Sequence, residues 1–305
     1  CAKRPGRTAT SVPPGALLCA PFPAIQCLTM DNTLRLRLDI AYDGTDFHGW
    51  ARQKGDLRTV QQTIEDALSL VLRTDVALTV AGRTDAGVHA AGQVAHADIP
   101  AESLNQRSID GHPGRLVRRL AKLLPEDVRV FGVARAPAGF DARFSALTRT
   151  YVYRVTTHPA GAVPTRARDT AVWPKPVDLG AVQACADALV GLNNFAAFCR
   201  PKEHGTTIRE VHSFTWREVE PHLYEARITA DAFCWNMVRA LVATCLTVGE
   251  GRRAPQWPEE LLLLDARSPD VPLAPARGLT LVGVEYPADS DLAARAEATR
   301  ATREM

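Results

Sequence analysis

The densest group of chemistry-bearing residues in the chain is Gly82-Arg83-Thr84-Asp85-Ala86-Gly87-Val88-His89. It directly follows Val76 to Val80, an apolar run that reads as a buried strand. Two glycines flank the carboxylate, and glycine permits both a sharp turn and close approach of a ligand to backbone. Arg83 lies two residues before Asp85. In a tight loop the two side chains can meet, which keeps Asp85 ionised and fixed in direction. That is the outline of a carboxylate-based site. The same residue types also suit an ordinary turn with a surface ion pair, and composition alone does not choose between the two.

Other clusters are weaker. Tyr42 to Trp50 (YDGTDFHGW) packs two aspartates, a histidine and three aromatics into nine residues. It either lines a nucleic-acid cleft or caps a sheet. Arg115, Arg118, Arg119 and Lys122 share one helical face, either a phosphate track or a solvated surface. Arg143, Arg149, Arg154, Arg166 and Arg168 interleave with Tyr151 and Tyr153, a pattern suited to stacking on an unpaired base with phosphate contacts. Arg239 interrupts an otherwise apolar helix, where a charge is costly unless it is paired or faces a cleft. His89 and His96 straddle a loop and strand, so a metal pair is not expected. No phosphate-binding, zinc-protease or dinucleotide fingerprint occurs, and nothing implies a cofactor. A metal-dependent phosphate-ester hydrolase would need several carboxylates together, whereas one aspartate stands out.

These residues need rigid elements to hold them. Leu34, Leu36, Leu38, Ile40 and Tyr42 alternate with more polar residues, the period of a half-buried strand. Thr59 caps a helix whose apolar face is Val60, Ile64, Ala67, Leu68, Val71 and Leu72. Further strands are expected at 92–98, 128–133, 151–155 and 280–286, with a hairpin of 214–219 and 223–229. Helices are expected over 103–124, broken at Gly111 to Gly114, around 182–189, and over 235–248. Strands and helices recur in both halves, so each half is expected to be an α/β sandwich with helices on one sheet face.

The 305 residues suggest about two domains. The expected divisions are 1–30, a non-structural extension; 31–140; 141–288; and 289–305, a polar tail that is a frayed helix or disordered. Residues 1–30 hold five prolines and no acid, and Met30 is expected to be the true initiator. The chain has 36 Lys+Arg, only five of them lysine, against 34 Asp+Glu. Without residues 1–30 it is close to neutral, so nucleic-acid binding would depend on local patches. No run of about 18 apolar residues is present, so no membrane-spanning helix is expected. Cys185, Cys199, Cys234 and Cys245 form no CxxC pair and are expected to be buried free thiols in a reducing cytoplasm.

Five strings occur in order: YDGTDFHGW (42–50), AGRTDAGVHAAGQVAH (81–96), DARFSALTRTYVYRV (141–155), ADAFCWNMVRALV (230–242) and ARGLTLVGVEYP (276–287). Together they resemble the tRNA pseudouridine synthase A family over about residues 34–288. Two departures stand out. Ala51 replaces the usual glutamine after Gly49-Trp50, and Ala230-Asp231-Ala232-Phe233-Cys234-Trp235-Asn236-Met237-Val238-Arg239 stands where the family usually has a histidine-bearing block.

The resemblance implies an α+β fold of two α/β sandwich domains related by a pseudo-two-fold. Mixed, mostly antiparallel sheets would join around a central RNA-binding cleft. It implies a cytoplasmic homodimer that isomerises uridine to pseudouridine at positions 38, 39 and 40 of the tRNA anticodon stem-loop, with no cofactor or metal. Asp85 matches the family's essential aspartate, which attacks ribose C1′ or removes the C2′ proton. Arg83 would pair with Asp85 and help hold the target nucleotide out of the helix, Tyr151 would stack on the flipped base, and Leu279 or Leu281 would pack beneath it. Arg143 and Arg239 would line the cleft, contacting phosphate or Asp85. A synthase for another RNA site and a non-catalytic RNA-binding protein are the rival readings.

Overall fold

The computed structural model describes residues 32–200 and 206–301. The expectations for residues 1–30 therefore lie outside the described residues. Ten strands form one sheet among the described residues. In chain order they are β1 (Thr33–Tyr42), β2 (Leu78–Val80), β3 (His89–Pro100), β4 (Val128–Arg135), β5 (Thr148–Thr156), β6 (Ala171–Val172), β7 (Gly191–Asn194), β8 (Ile208–Glu220), β9 (Leu223–Ala230) and β10 (Leu279–Glu285). The spatial order is β4-β1-β3-β10-β5-β9-β8-β7, with β2 beside β3 and β6 beside β5. All pairings are antiparallel except β10 with β3 and β6 with β5. The mixed, mostly antiparallel sheet expected from the sequence is thus what is found.

The last strand joins the two halves of the sheet. Leu281 of β10 pairs with Ala90 of β3 on one side and with Tyr151 of β5 on the other. Asp85, four residues ahead of β3, is thereby brought to the same region as Tyr151, although 66 positions separate them in sequence.

Helices cover the sheet where apolar periodicity demands. In α1 (Val60–Leu72), Thr59 caps the first turn by accepting from the Gln62 N–H, and the expected apolar face is buried. α2 (Leu116–Leu123) is shorter than expected. Residues 101–115 form only isolated 3-10 turns because Asp110 and Gly111 take positive φ and Pro113 lacks an N–H. α3 (Leu179–Asp187), capped by Asp178, packs on α4 (Met237–Gly249) so closely that a Cβ at Gly249 would lie 2.3 Å from Val182. α4 is buried on all sides except at Arg239. α5 (Trp257–Leu262) is a short helix beyond it.

Residues 289–301 differ from the frayed or disordered tail expected. Leu292–Ala301 forms α6, with Leu292 and Ala296 buried. Its Leu292 carbonyl accepts from Ser145, and Arg300 bonds Asp141 at 2.9 Å and stacks on Phe144. Two apolar residues one turn apart and one arginine therefore suffice to dock a mostly polar helix.

The cysteine expectation needs correction. Cys199 and Cys234 form a disulfide, with Cα atoms 5.8 Å apart, well within the range such bonds require. Only Cys185 and Cys245 among the described cysteines are free and buried. A spacing of 35 residues carries no sequence signature; the pairing arises where the end of a 3-10 turn meets the loop before α4.

Candidate active site

The Asp85 loop is braced along its whole length. Ala81 N–H donates to Val94, and the Gly82 carbonyl accepts from Gln93 at 2.8 Å. The Thr84 hydroxyl pairs with Tyr42 at 2.7 Å, while its carbonyl accepts from Trp50 N–H at 3.0 Å. Gly87 takes φ +76° and donates to the Phe47 carbonyl. The segment 42–50 is therefore the floor of this loop. Tyr42, Phe47 and Trp50 are buried rather than offered to a ligand. Gly49, at φ +93°, lets that floor come close: a Cβ there would lie 2.9 Å from the Thr84 carbonyl. The Tyr42 phenol is pushed up to about 12, chiefly by burial, and stays a neutral donor–acceptor for Thr84.

Asp85 is half-buried. Burial raises its carboxyl above the ordinary aspartate value, while the Arg239 guanidinium and the nearby Trp235 indole pull it back. Arg239 is itself held by α4 and by donation from Nε to the Ala274 carbonyl at 2.7 Å. Burial lowers its own pKa, and Asp85 and Tyr153 counteract that. The lone arginine of an apolar helix thus faces the carboxylate.

Tyr151 is 7% exposed and meets Phe233 edge-on at 5.2 Å. Burial, the nearby Tyr42 and the Asp85 charge all push its phenol well up. Its ladder partner Leu281 and the next pair, Leu279 with Tyr153, are buried in the same core. The Tyr153 hydroxyl donates to the Pro275 carbonyl at 2.9 Å.

Arg149 ties the site together. This 8% exposed guanidinium donates to the carbonyls of Asp231, Ala81 and Arg143 at 2.8, 3.0 and 2.8 Å. Those carbonyls belong to three segments: the one carrying Phe233 and Trp235, the one carrying Asp85, and the one carrying Arg143.

The structure brings Asp85, Tyr151 and Arg239 together. Arg83 is exposed, has no partner among the described residues and forms no ion pair with the carboxylate, on which Arg239 acts through its charge instead. Arg143 is exposed, with its guanidinium 5.2 Å from the Phe144 ring. Trp235 was not singled out by its sequence context. The available signal was an aromatic N–H donor directly before an αL asparagine and a charged residue in an apolar helix.

The basic patches resolve unevenly. Arg154 pairs with Glu225 and Asp169, Arg166 with Asp169, and Arg168 with Asp43 and Asp46, so that stretch is largely neutralised. Arg118 and Lys122 are exposed and without partners among the described residues, while Arg115 pairs with Asp110. A surface hollow of about 410 Å³ lined by Asp43, Asp46, Glu126, Asp127 and Arg168 has the wrong sign for phosphate. His89 accepts from Gly44 N–H and reaches the Arg277 carbonyl, and His96 accepts from Ala142 N–H; the two clip separate loops.

Comparison with known proteins places this arrangement. Residues 185–287 match the family model described as tRNA pseudouridine synthase. The chain is 64% identical to the tRNA pseudouridine synthase A of Corynebacterium glutamicum, over 89% of this chain and 96% of that protein. It is 55% identical to that of Frankia casuarinae, over 90% of this chain and 97% of that protein. It is 52% identical to that of Mycobacterium leprae, with the same coverage.

Proposed function

The chain belongs to the tRNA pseudouridine synthase A family, and on that premise we propose that it converts uridines 38, 39 and 40 of the tRNA anticodon stem-loop to pseudouridine, with Asp85 as the reacting carboxylate. The coarser statement, an isomerase that forms pseudouridine in tRNA, follows from membership. The half-buried Asp85 in a braced loop, beside Tyr151 and faced by Arg239, supports its role as that carboxylate, and the three positions follow the family resemblance.

The chemistry needs no more than that. The bond from ribose C1′ to base N1 breaks, the base turns, C1′ joins C5, and the C5 proton leaves while N1 gains one. Nothing is oxidised. Two routes use a lone carboxylate: attack on C1′ to give a glycosyl ester, or removal of the C2′ proton to give a glycal. A stacked uridine hides its glycosidic bond, so the nucleotide is flipped out at a cost of about a few kcal/mol. Tyr151 stacks on the freed base. Burial holds its phenol protonated. Arg239 stabilises ionised Asp85, and the free, exposed Arg83 reaches the phosphates flanking the flipped nucleotide. Arg143, Arg118 and Lys122 extend the backbone contact. The enzyme works as a cytoplasmic homodimer.

The test is position mapping. An unmodified tRNA transcript bearing uridines at 38, 39 and 40 is incubated with the protein, then treated with carbodiimide and read by primer extension. Stops at those three positions are expected. Stops elsewhere would keep the reaction and overturn the position.

A further inference from the structure

Among the described phenylalanines, tyrosines and tryptophans, two side chains are exposed. Phe131, 71% exposed, lies on the edge strand β4, whereas Trp235, 47% exposed, lies beside the candidate active site. Its place is fixed from several directions. Phe233, two residues earlier, meets Tyr151 edge-on at 5.2 Å. Arg149 ties the carbonyl of Asp231 to that of Ala81, at the start of the Asp85 loop. Asn236 takes the αL conformation (φ 69°), which turns the chain directly into α4 and so to Arg239. Residues 231–239 therefore run along the rim of the site, with Trp235 as their exposed ring. Arg200 completes a pair with that ring. Its guanidinium lies over the indole, 4.2 Å from the centroid, and its backbone N–H donates to the Trp235 carbonyl at 3.0 Å. The residues just before the two, Cys199 and Cys234, are joined by the disulfide. Arg200 is exposed and forms no ion pair among the described residues.

We propose that Trp235 and Arg200 form a second nucleotide subsite: the indole stacks on the base next to the flipped uridine, and the guanidinium contacts that nucleotide's phosphate. The proposal rests on the reading that the site acts on a flipped-out uridine. A nucleotide that leaves the helix deprives its neighbours of a stacking partner. An exposed indole beside Tyr151 supplies a replacement face, and every base has a face to offer it, so the contact tolerates sequence variation. Arg200 covers one side of the indole, and the base takes the other. A guanidinium stacked on a ring keeps its N–H edge free for phosphate. The core has no use for this ring. Trp50, Trp216 and Trp257 are 1%, 8% and 6% exposed, whereas Trp235 leaves nearly half its surface to solvent. The main-chain bond, the cross-link and the cation–π contact hold the pair in place before RNA arrives. Tyr151 thus takes the target base and Trp235 its neighbour.

The test uses the full chain and an unmodified tRNA transcript with one target uridine, together with two transcripts in which either neighbour of that uridine is abasic. Wild type, Trp235→Ala, Trp235→Phe and Arg200→Met are compared in tRNA affinity, tryptophan emission, single-turnover pseudouridine formation, oligomeric state and melting temperature. Trp235→Ala is expected to weaken binding about 5–150-fold, the range for one base stacked on an aromatic side chain. Trp235→Phe keeps a ring and loses less. Arg200→Met weakens binding and reduces its salt dependence by about one phosphate contact. tRNA quenches the emission of wild type but not of Trp235→Phe. On the transcript lacking the stacked neighbour, wild type and Trp235→Ala bind within about twofold of each other, since the partner of the ring is gone. Melting temperatures stay near wild type because the ring is exposed. The same Trp235→Ala penalty on the intact and both abasic transcripts would overturn the proposal, as would no penalty at all. A changed oligomeric state with unchanged tRNA affinity would also overturn it, making Trp235 a protein contact. A wild type that forms no pseudouridine on the intact transcript would bring down the function and the subsite with it, whereas an active wild type with an absent or undiminished penalty brings down the subsite alone.

Discussion

Arg149→Met removes three hydrogen bonds at once while keeping the length of the side chain. The bonds run from one guanidinium to the carbonyls of Ala81, Arg143 and Asp231. A hydrogen bond involving a charged group contributes roughly 1.5–3 kcal/mol net, so three give about 5–9 kcal/mol. Burying the cation itself costs several kcal/mol, which methionine avoids. The balance is a destabilisation of about 2–4 kcal/mol, or roughly 3–6 °C in melting temperature for a chain of this size. Arg149→Lys keeps the charge but not the planar fork, and falls between the two. Calorimetry measures the stability. Single-turnover pseudouridine formation, at a temperature where the variant is folded, measures the effect on the site. The rate should fall at least tenfold, since loops carrying Asp85 and Trp235 lose their common tie. A variant within 1 kcal/mol of wild type with unchanged turnover would refute the view that Arg149 holds those segments together.

Three other expectations follow from the geometry. Arg239→Met removes the cation facing Asp85, so the acid limb of activity should shift to higher pH, whereas Arg239→Lys should shift it less; identical profiles in pH-rate assays would exclude that influence. Gly49→Ala puts a Cβ against the backbone of Thr84 at a positive φ, and should reduce turnover more than tRNA affinity as measured by filter binding. Peptide mapping of unreduced protein should recover a Cys199–Cys234 cross-link, and reduction should cost about 3–4 kcal/mol in urea unfolding for a link spanning 35 residues; recovery of the two as free thiols would overturn it.

What could be read from the sequence depended on the range of the interaction. The face of α1 was legible because the helical period is local, and the Asp85 loop because flanking glycines announce a turn where a carboxylate sits. Arg239 was legible as a charge that an apolar helix cannot tolerate without a partner. The basic stretch after residue 141 misled in part. Its arginines look unpaired in sequence, yet Arg154 finds Glu225 and Arg168 finds Asp43 and Asp46 across the sheet. The cation that acts on Asp85 is hidden for the same reason. Arg83 is two residues away, but alternation in a tight loop turns it to solvent, while Arg239 arrives from a helix far along the chain. Trp235 and the Cys199–Cys234 link depend wholly on which loops meet, and no spacing rule anticipates that. The docking of α6 rests on two apolar contacts too sparse to give a period.

The central claim is that Asp85 performs the reaction rather than holding the fold or the RNA, and Asp85→Asn tests it most directly. The amide matches the carboxylate in shape, but it lacks the charge needed to attack C1′ or take a proton. With an unmodified tRNA transcript under single-turnover conditions, the account predicts no pseudouridine formation, together with tRNA affinity and melting temperature close to wild type. Substantial turnover by the folded, tRNA-bound variant would contradict it.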